Sequence, residues 1–434
     1  MPGTARGRGG PADHGHLRDV TDPAARARAA VADAHRREWA FVLAATVRVA
    51  ADLDLAEECV QEAYLAALDE WARDGIPRSP GAWLTTIARR RALDAHRRAA
   101  TLRAKLPLLV EPAGAPEPGG DGMDEEIPDD RLRLVFTCCH PALALEAQVA
   151  LTLRLVCGLT TVEIAQAFLV AEPTMAARVT RAKKKISAAR IAYRVPGAAE
   201  LPDRLDAVLT VVHLLYTTGH TAPAGADLVR PDLVERALGL ARMLHTLMPD
   251  EPEVRGLLGL LLLTDARRAT RVGADGRLLL LEEQDRSRWD RAAIEEGVDL
   301  VLDALRGRPG RFALQGAVAA LHAEAPSYEQ TDWPQVLGVY DALLRVWPSP
   351  VVALNRAVAL AMVRGPGAAL AEVEALEQAG RLAGYRYLAA TKADLLRRLD
   401  RRTEAAQAYR IALEQADNAA ERAFLAGRLA DLGS

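Results

Sequence analysis

The sequence predicts an all-α protein, and three observations carry that expectation. Half of the 434 residues are apolar but only 4% are aromatic, so the cores must be mostly Leu, Ala and Val, a composition that leans towards helix. Apolar residues recur at helical spacing, as at Val60, Tyr64, Ala67, Leu68 and Trp71. Helix-start signals stand in front of such runs: Ser79-Pro80 is one, and Thr160 with Glu163 three residues on is another.

A chain of this length suggests two or three domains. Four cysteines do not read as a disulfide framework. The first twenty residues hold no apolar run, so no secretory signal is expected. The longest apolar run, "GLLGLLLL" at 256–263, falls far short of the roughly 18 residues a membrane span needs. The protein is therefore expected to be soluble and cytoplasmic. The net charge of −3 says nothing about partners, but its distribution along the chain does.

Residues 1–28 are rich in Gly, Ala, Arg and Pro without periodicity and are expected to be disordered. A helical block follows at 29–105. Residues 106–130 are dense in Pro and Gly, and 121–130 carry six acids and no base, which reads as a flexible acidic linker. A second helical block spans 131–195. The third, 200–434, is Leu/Ala-rich and almost wholly helical in pattern, with one weak hairpin signal at Asp275-Gly276.

In the first block, "DLDLAEECVQEAYLAALDEW" predicts a helix capped at Asp54, with Glu57 close to a capping box. Glu58, Gln61, Glu62 and Leu65 form a separate acidic face with an apolar edge. The next helix carries seven Lys/Arg and one Asp over 83–105. Arg90, Arg91, Arg97 and Arg98 share a broad flank, while Trp83, Ile87 and Leu93 are expected to fix the helix to a core. Such a basic flank suits a phosphate backbone, because neutralising phosphates releases counterions.

The second block reads as a helix-turn-helix. Thr160 and Glu163 make the capping box, Leu159 and Ile164 the hydrophobic staple, and Ile164, Ala165 and Phe168 face inward. Leu169-Val170-Ala171 makes the turn, Pro173 opens the second helix, and Met175 and Val179 pack back. That helix presents Thr174, Arg178, Arg181, Lys183, Lys184 and Lys185, and 178–194 holds seven bases and no acid. A recognition helix places its N-terminal part in the major groove and sets its register through phosphates.

The third block holds degenerate frames of two closely packed helices. They include Ala393, Ala405, Tyr409 and Ala412; Ala237, Ala241, Leu244, Pro249 and Leu258-Gly259; and Tyr340, Leu343 and Pro348. They resemble tetratricopeptide (TPR) repeats, so a TPR-like array is expected.

The order "DLDLAEECVQEAYLAAL", "AWLTTIARRRALDAHRR", linker, then "LTTVEIAQAFLVAEPTMAARVTRAKKKI" resembles a bacterial RNA polymerase sigma factor. It is similar to the compact extracytoplasmic-function class, with regions 2 and 4 over about 30–195, and to the sigma-24-like subgroup that carries a helical extension. The resemblance implies two small helical sigma domains before the TPR-like array. It also implies partners: core RNA polymerase, through its β′ coiled coil and β flap, and promoter DNA. Glu57, Glu58, Gln61 and Glu62 match the surface that binds the β′ coiled coil. Trp83, Arg89, Arg90, Arg91, Arg97 and Arg98, with the loop at 72–81, match the part that captures the −10 element. Thr174, Arg178, Arg181, Lys183 and Lys184 match the −35 reader.

Three positions depart from the family pattern. Arg90 stands where Asn is frequent, and Ala176 and Ala177 stand where polar residues often read bases, which shifts weight towards DNA shape.

No GxxxxGK[ST], HExxH or GxSxG motif points to an enzyme, and no cofactor or metal is expected. A regulatory protein is a further possible partner of the TPR-like domain, which the sequence suggests acts in cis. The competing reading is a helix-turn-helix regulator whose TPR-like domain senses a ligand or peptide. "FTCCHPAL" at 136–143 raises a metal or redox reading on Cys138, Cys139 and His140. Three adjacent side chains cannot easily surround one zinc, so they are expected to be small, partly buried residues at a helix entry opened by Pro141. His213 and His220 are expected to be packed or surface residues rather than ligands.

Overall fold

The structure, a computed structural model, describes residues 23–105, 130–168, 170–197, 199–222, 224–225, 228–273 and 277–432. The chain divides into two compact units: residues up to 166 with 170–197, and residues 167–169 with 198–434. Each is helical.

The first unit opens with three mutually packed helices: α1 (Pro23–Ala50), α2 (Leu53–Asp74) and α3 (Pro80–Lys105). α1 begins inside the 1–28 stretch expected to lack order. Pro23 suits a first helical turn, and the Ala/Arg run behind it is strongly helix-forming. The remainder of that expectation, and the linker expectation over 106–129, lie outside the described residues.

The cap of α2 is Asp52, not Asp54. Its backbone is extended and its carboxylate accepts from Leu55 N at 2.8 Å, and Leu53 is already buried as the first helical residue. α3 starts at Pro80 as expected, but its anchors differ. Leu84, Ala88 and Ala92 are fully buried at i+4 spacing, whereas Trp83 and Ile87 are half-buried and Leu93 is 47% exposed. The small Ala88 and Ala92 let the backbone approach its neighbours. Leu93, one residue further on, is turned about 100° away from them. Complete burial of Leu84 contributes on the order of 2 kcal/mol.

The same unit continues with α4 (Asp130–Cys138), α5 (Leu145–Leu151), a π-helical turn at Thr152–Val156, α6 (Thr161–Ala167) and α7 (Glu172–Ala188). The capping box forms: Thr160 N donates to Glu163 Oε2 at 2.7 Å and Glu163 N to Thr160 Oγ1 at 3.2 Å. Ile164, Ala165, Met175 and Val179 are buried, Phe168 is half-buried, and Pro173 lies in the first turn of α7.

The cysteine corner differs from expectation. Cys138 is the last residue of α4, not a helix entry, and Cys138 and Cys139 are at most 1% exposed. Pro141 sits in an exposed turn, and α5 opens only at Leu145. Burial pushes the Cys138 thiol well above its ordinary pKa, and Cys139 and Cys157 add to this, the opposite of what a reactive thiolate needs. Among the described residues no three His, Cys, Asp or Glu side chains converge as a metal site.

The second unit is a run of packed helices: α8 (Leu201–His220), α9 (Pro231–Leu247), α10 (Pro252–Asp265), α11 (Arg291–Leu305), α12 (Arg311–Glu324), α13 (Trp333–Val346), α14 (Pro350–Arg364), α15 (Pro366–Gln378), α16 (Arg386–Arg398), α17 (Arg402–Glu414) and α18 (Ala419–Asp431). Each packs on the next, and α8 on α10, α10 on α12 and α14 on α16 as well, the nearest-neighbour pattern of stacked hairpins. Ala237, Ala241, Leu244, Leu258, Leu343, Ala393, Ala405 and Ala412 are all buried at crossings, with Tyr409 between helices. At Gly259 a Cβ would stand 2.8 Å from the Gly297 carbonyl and 2.7 Å from Val301 Cγ2, so only glycine permits that approach of α10 to α11.

The hairpin signal survives as one antiparallel bridge, Val272 to Leu278, with Asp275-Gly276 outside the described residues. His213 packs edge-on against Phe312 at 5.4 Å, and His220 stacks on Tyr216 at 5.3 Å. Among the described residues no helix is long and apolar enough to cross a membrane.

Candidate nucleic-acid interface

The α7 helix separates its charges by angle. Thr174, Arg178, Arg181 and Lys185 follow at three- to four-residue spacing. Thr174, Arg181 and Lys185 are exposed and Arg178 is half-buried. Arg178, Arg181 and Lys185 line a groove of about 410 Å³ with Leu143, Ala144 and Glu146. Ala176, Ala177 and Lys184 are also exposed. Lys183 points elsewhere. It lies four residues beyond buried Val179, so it shares the inward flank, and its side chain is only 11% exposed.

Lys183 Nζ lies 2.7 Å from Glu57 Oε2 and 2.6 Å from Asp54 Oδ1. Arg154, in the π-helical turn, pairs with the other Glu57 oxygen and donates to the Leu159 carbonyl at 3.0 Å. Glu57 itself is 5% exposed. Burial works against the Lys183 charge, but Glu57 and Asp54 outweigh it and hold its pKa above the ordinary lysine value. Two residues expected on separate surfaces, Glu57 and Lys183, are thus joined. The reason is legible on α2: Glu57 is three residues before Val60 and seven before Tyr64, on the apolar stripe itself.

The remaining acidic positions on α2 do face outward. Glu58 and Gln61 are exposed, and Leu65 is 63% exposed. Gln61 Nε2 donates to Glu57 Oε1 at 3.2 Å. Glu62 is half-buried and pairs with Arg91 of α3, so Arg91 is engaged with the acidic face.

On α3, Arg89, Arg90, Arg97 and Arg98 are exposed. Arg97 pairs with Asp94 at 3.2 Å in the open, a contact that adds little. Trp83 meets Trp71 edge-to-face at 5.6 Å, which fixes the ring where α3 leaves the 75–79 loop. His96 was not singled out by sequence. Its Nε2–H lies 3.1 Å from the carbonyls of both Val49 and Ala50, and it closes the C-terminal end of α1.

Arg154 was also missed. A lone arginine inside the apolar run "VALTLRLV" should have demanded a carboxylate, since a buried charge needs a partner.

Packing joins α1 to the helix-turn-helix half. Trp39 Nε1 donates to the Leu155 carbonyl at 3.0 Å, and Tyr193 Oη lies 3.0 Å from the Ala44 carbonyl and 3.1 Å from that of Asp130. Gly158 has φ +70°, and a Cβ there would stand 2.9 Å from Trp39 Cγ.

Three segments match known families. Residues 34–101 match Sigma-70 region 2, residues 133–186 match Sigma-70, region 4, and residues 204–305 match a family of unknown function, DUF6596. An uncharacterized protein of Rhizobium meliloti (strain 1021) is 43% identical over 396 residues, covering 90% of this chain and 93% of that protein. The two matched regions fall on the helices that carry the paired acidic and basic faces, in the order region 2 then region 4. The chain belongs to the sigma-70 family, as an extracytoplasmic-function-like sigma factor with a helical C-terminal extension.

Proposed function

We propose that the protein binds core RNA polymerase and directs it to a −35/−10 promoter, without enzymatic activity of its own. The observation that carries this is the outward face of α7, where Thr174, Arg178 and Arg181 follow a closed capping box. In this reading Glu58, Gln61, Glu62 and the exposed Leu65 meet the β′ coiled coil, and the helix-turn-helix half meets the β flap. Arg89, Arg90, Arg97 and Arg98 of α3 hold the −10 strand, with Trp83 at the edge of the opened bases. Extruding a base costs a few kcal/mol, and backbone contacts from four exposed guanidiniums offset it.

The Glu57–Lys183 pair belongs to a closed arrangement of regions 2 and 4. Engaging polymerase and both promoter elements separates the two halves, exposing Glu57 and freeing Lys183 for a phosphate. The helical extension regulates this in cis. Run-off transcription with core polymerase tests the central reading. Specific DNA binding in a gel shift by the protein alone, unimproved by core polymerase, would sink it in favour of an ordinary helix-turn-helix regulator. Removing residues from about 200 onward tests the cis regulation: unchanged promoter output and polymerase affinity would exclude it.

A further inference from the structure

The second unit carries a half-open cavity of about 720 Å³, bounded by α12, α13, α14, α16, α17 and α18 and by the 278–282 loop. That volume is the size of a small-molecule site. Its walls are largely apolar, with Leu281, Val336, Leu395 and Phe424 among them. Aromatic rings meet on one side: Trp333 stands edge-to-face with both His322 and Tyr328 at 5.2 Å.

Two ring nitrogens on this side, Trp333 Nε1 and His322 Nδ1, are buried without a hydrogen-bond partner among the described residues. Burial, with Arg267 and Arg286, lowers the His322 pKa to about 4, so its ring is neutral at pH 7.

Four arginines and three carboxylates line the cavity. Arg386 is held by Glu421 at 2.8 Å and Arg397 by Asp394 at 2.6 Å. Arg398 and Arg428 form no ion pair among the described residues. Arg398 lies against Met362 Sδ at 3.8 Å and the Ala361 carbonyl at 3.4 Å, and Arg428 lies over the Phe424 ring at 5.3 Å. The remaining carboxylate, Glu282, is exposed at the loop edge.

We propose that this cavity binds a small amphipathic anion, a molecule with an aromatic or acyl body and one carboxylate or sulfonate. The body fills the space between Trp333, Leu395 and Phe424. The acid is taken by Arg398 or Arg428. An apolar groove alone would take a neutral body equally well; the two guanidiniums without an ion pair make the anion the better fit. The inference rests on the second unit alone, so it holds or fails independently of the polymerase reading.

The test uses the full chain and a matched pair of probes, 8-anilinonaphthalene-1-sulfonate and the uncharged N-phenyl-1-naphthylamine. The sulfonate is expected to bind at one site per chain, at least tenfold tighter than the neutral probe. Decanoate should displace it at least tenfold better than decanol. Arg398→Ala or Arg428→Ala should weaken sulfonate binding about tenfold, leave the neutral probe unchanged, and preserve the melting temperature. Ala390→Trp, which fills the cavity, should abolish both. Equal binding of the two probes, absence of a saturable site, or wild-type sulfonate affinity in both arginine variants would overturn the proposal.

Discussion

Lys183 on α7 and Glu57 on α2 lie 2.7 Å apart, 126 residues apart in the chain. Arg154 approaches the same carboxylate from the π-helical turn. One buried carboxylate between two cations therefore fastens region 4 to region 2. Breaking such a pair from one side leaves a desolvated charge behind.

Glu57→Gln should accordingly destabilise the first unit by about 3 kcal/mol. Lys183→Met should cost less, because Arg154 still neutralises Glu57. In a double-mutant cycle the two should couple by about 1–2 kcal/mol. Urea unfolding with hydrogen exchange at α2 and α7 measures this, and additive effects would show that the pair does not form in solution.

Gly158→Ala places a methyl group at φ +70° against the Trp39 ring. Left-handed backbone strain and the close contact together should cost about 2–4 kcal/mol. The loss should appear as faster hydrogen exchange in α1 and the π-helical turn, with the second unit unaffected.

The second unit should weaken in acid. Burial lowers His213 to about 4, helped by Arg311, and His220 to about 2, helped by Arg271, Arg267 and Arg268. His322 is lowered to about 4. Each is neutral in the fold while the unfolded chain protonates near pH 6.5, so their contribution is complete above that pH and declines as the pH falls from 6.5 towards 4. The slope is up to about 1.4 kcal/mol per pH unit for each histidine. Chemical denaturation between pH 7 and 4.5 checks it, and His213→Leu should remove one proton from the slope.

Promoter variants separate base reading from phosphate contact on α7. Arg178→Ala should cost about 1–3 kcal/mol and relax preference at one −35 position. Lys184→Ala should weaken binding evenly across sequences and reduce the salt slope by about one. Transcription titrated against salt, on wild-type and −35-substituted templates, distinguishes them.

Much of this architecture is readable one residue at a time. The Thr160–Glu163 box, the Ser79-Pro80 start and the alanine crossings at 237, 241, 393, 405 and 412 are local features, and the structure holds them where spacing placed them. Leu93 and Pro141 misled because a residue type that suits a core or a helix start does not say which side of the helix, or which turn, the neighbours will occupy. Asp52 took the cap from Asp54 because Leu53 found a buried place.

Helical identity, the basic face of α7 and the order of region 2 before region 4 were determined by sequence alone, since periodicity, capping and charge act over four or five residues. Only tertiary structure decided that Glu57 and Lys183 share one ion-paired cluster with Arg154, that Gly158 must make room for Trp39, and that Arg398 and Arg428 line a cavity without an ion pair. A charge on a helix reports its own angle, whereas its partner is chosen by which distant surface is packed against that angle.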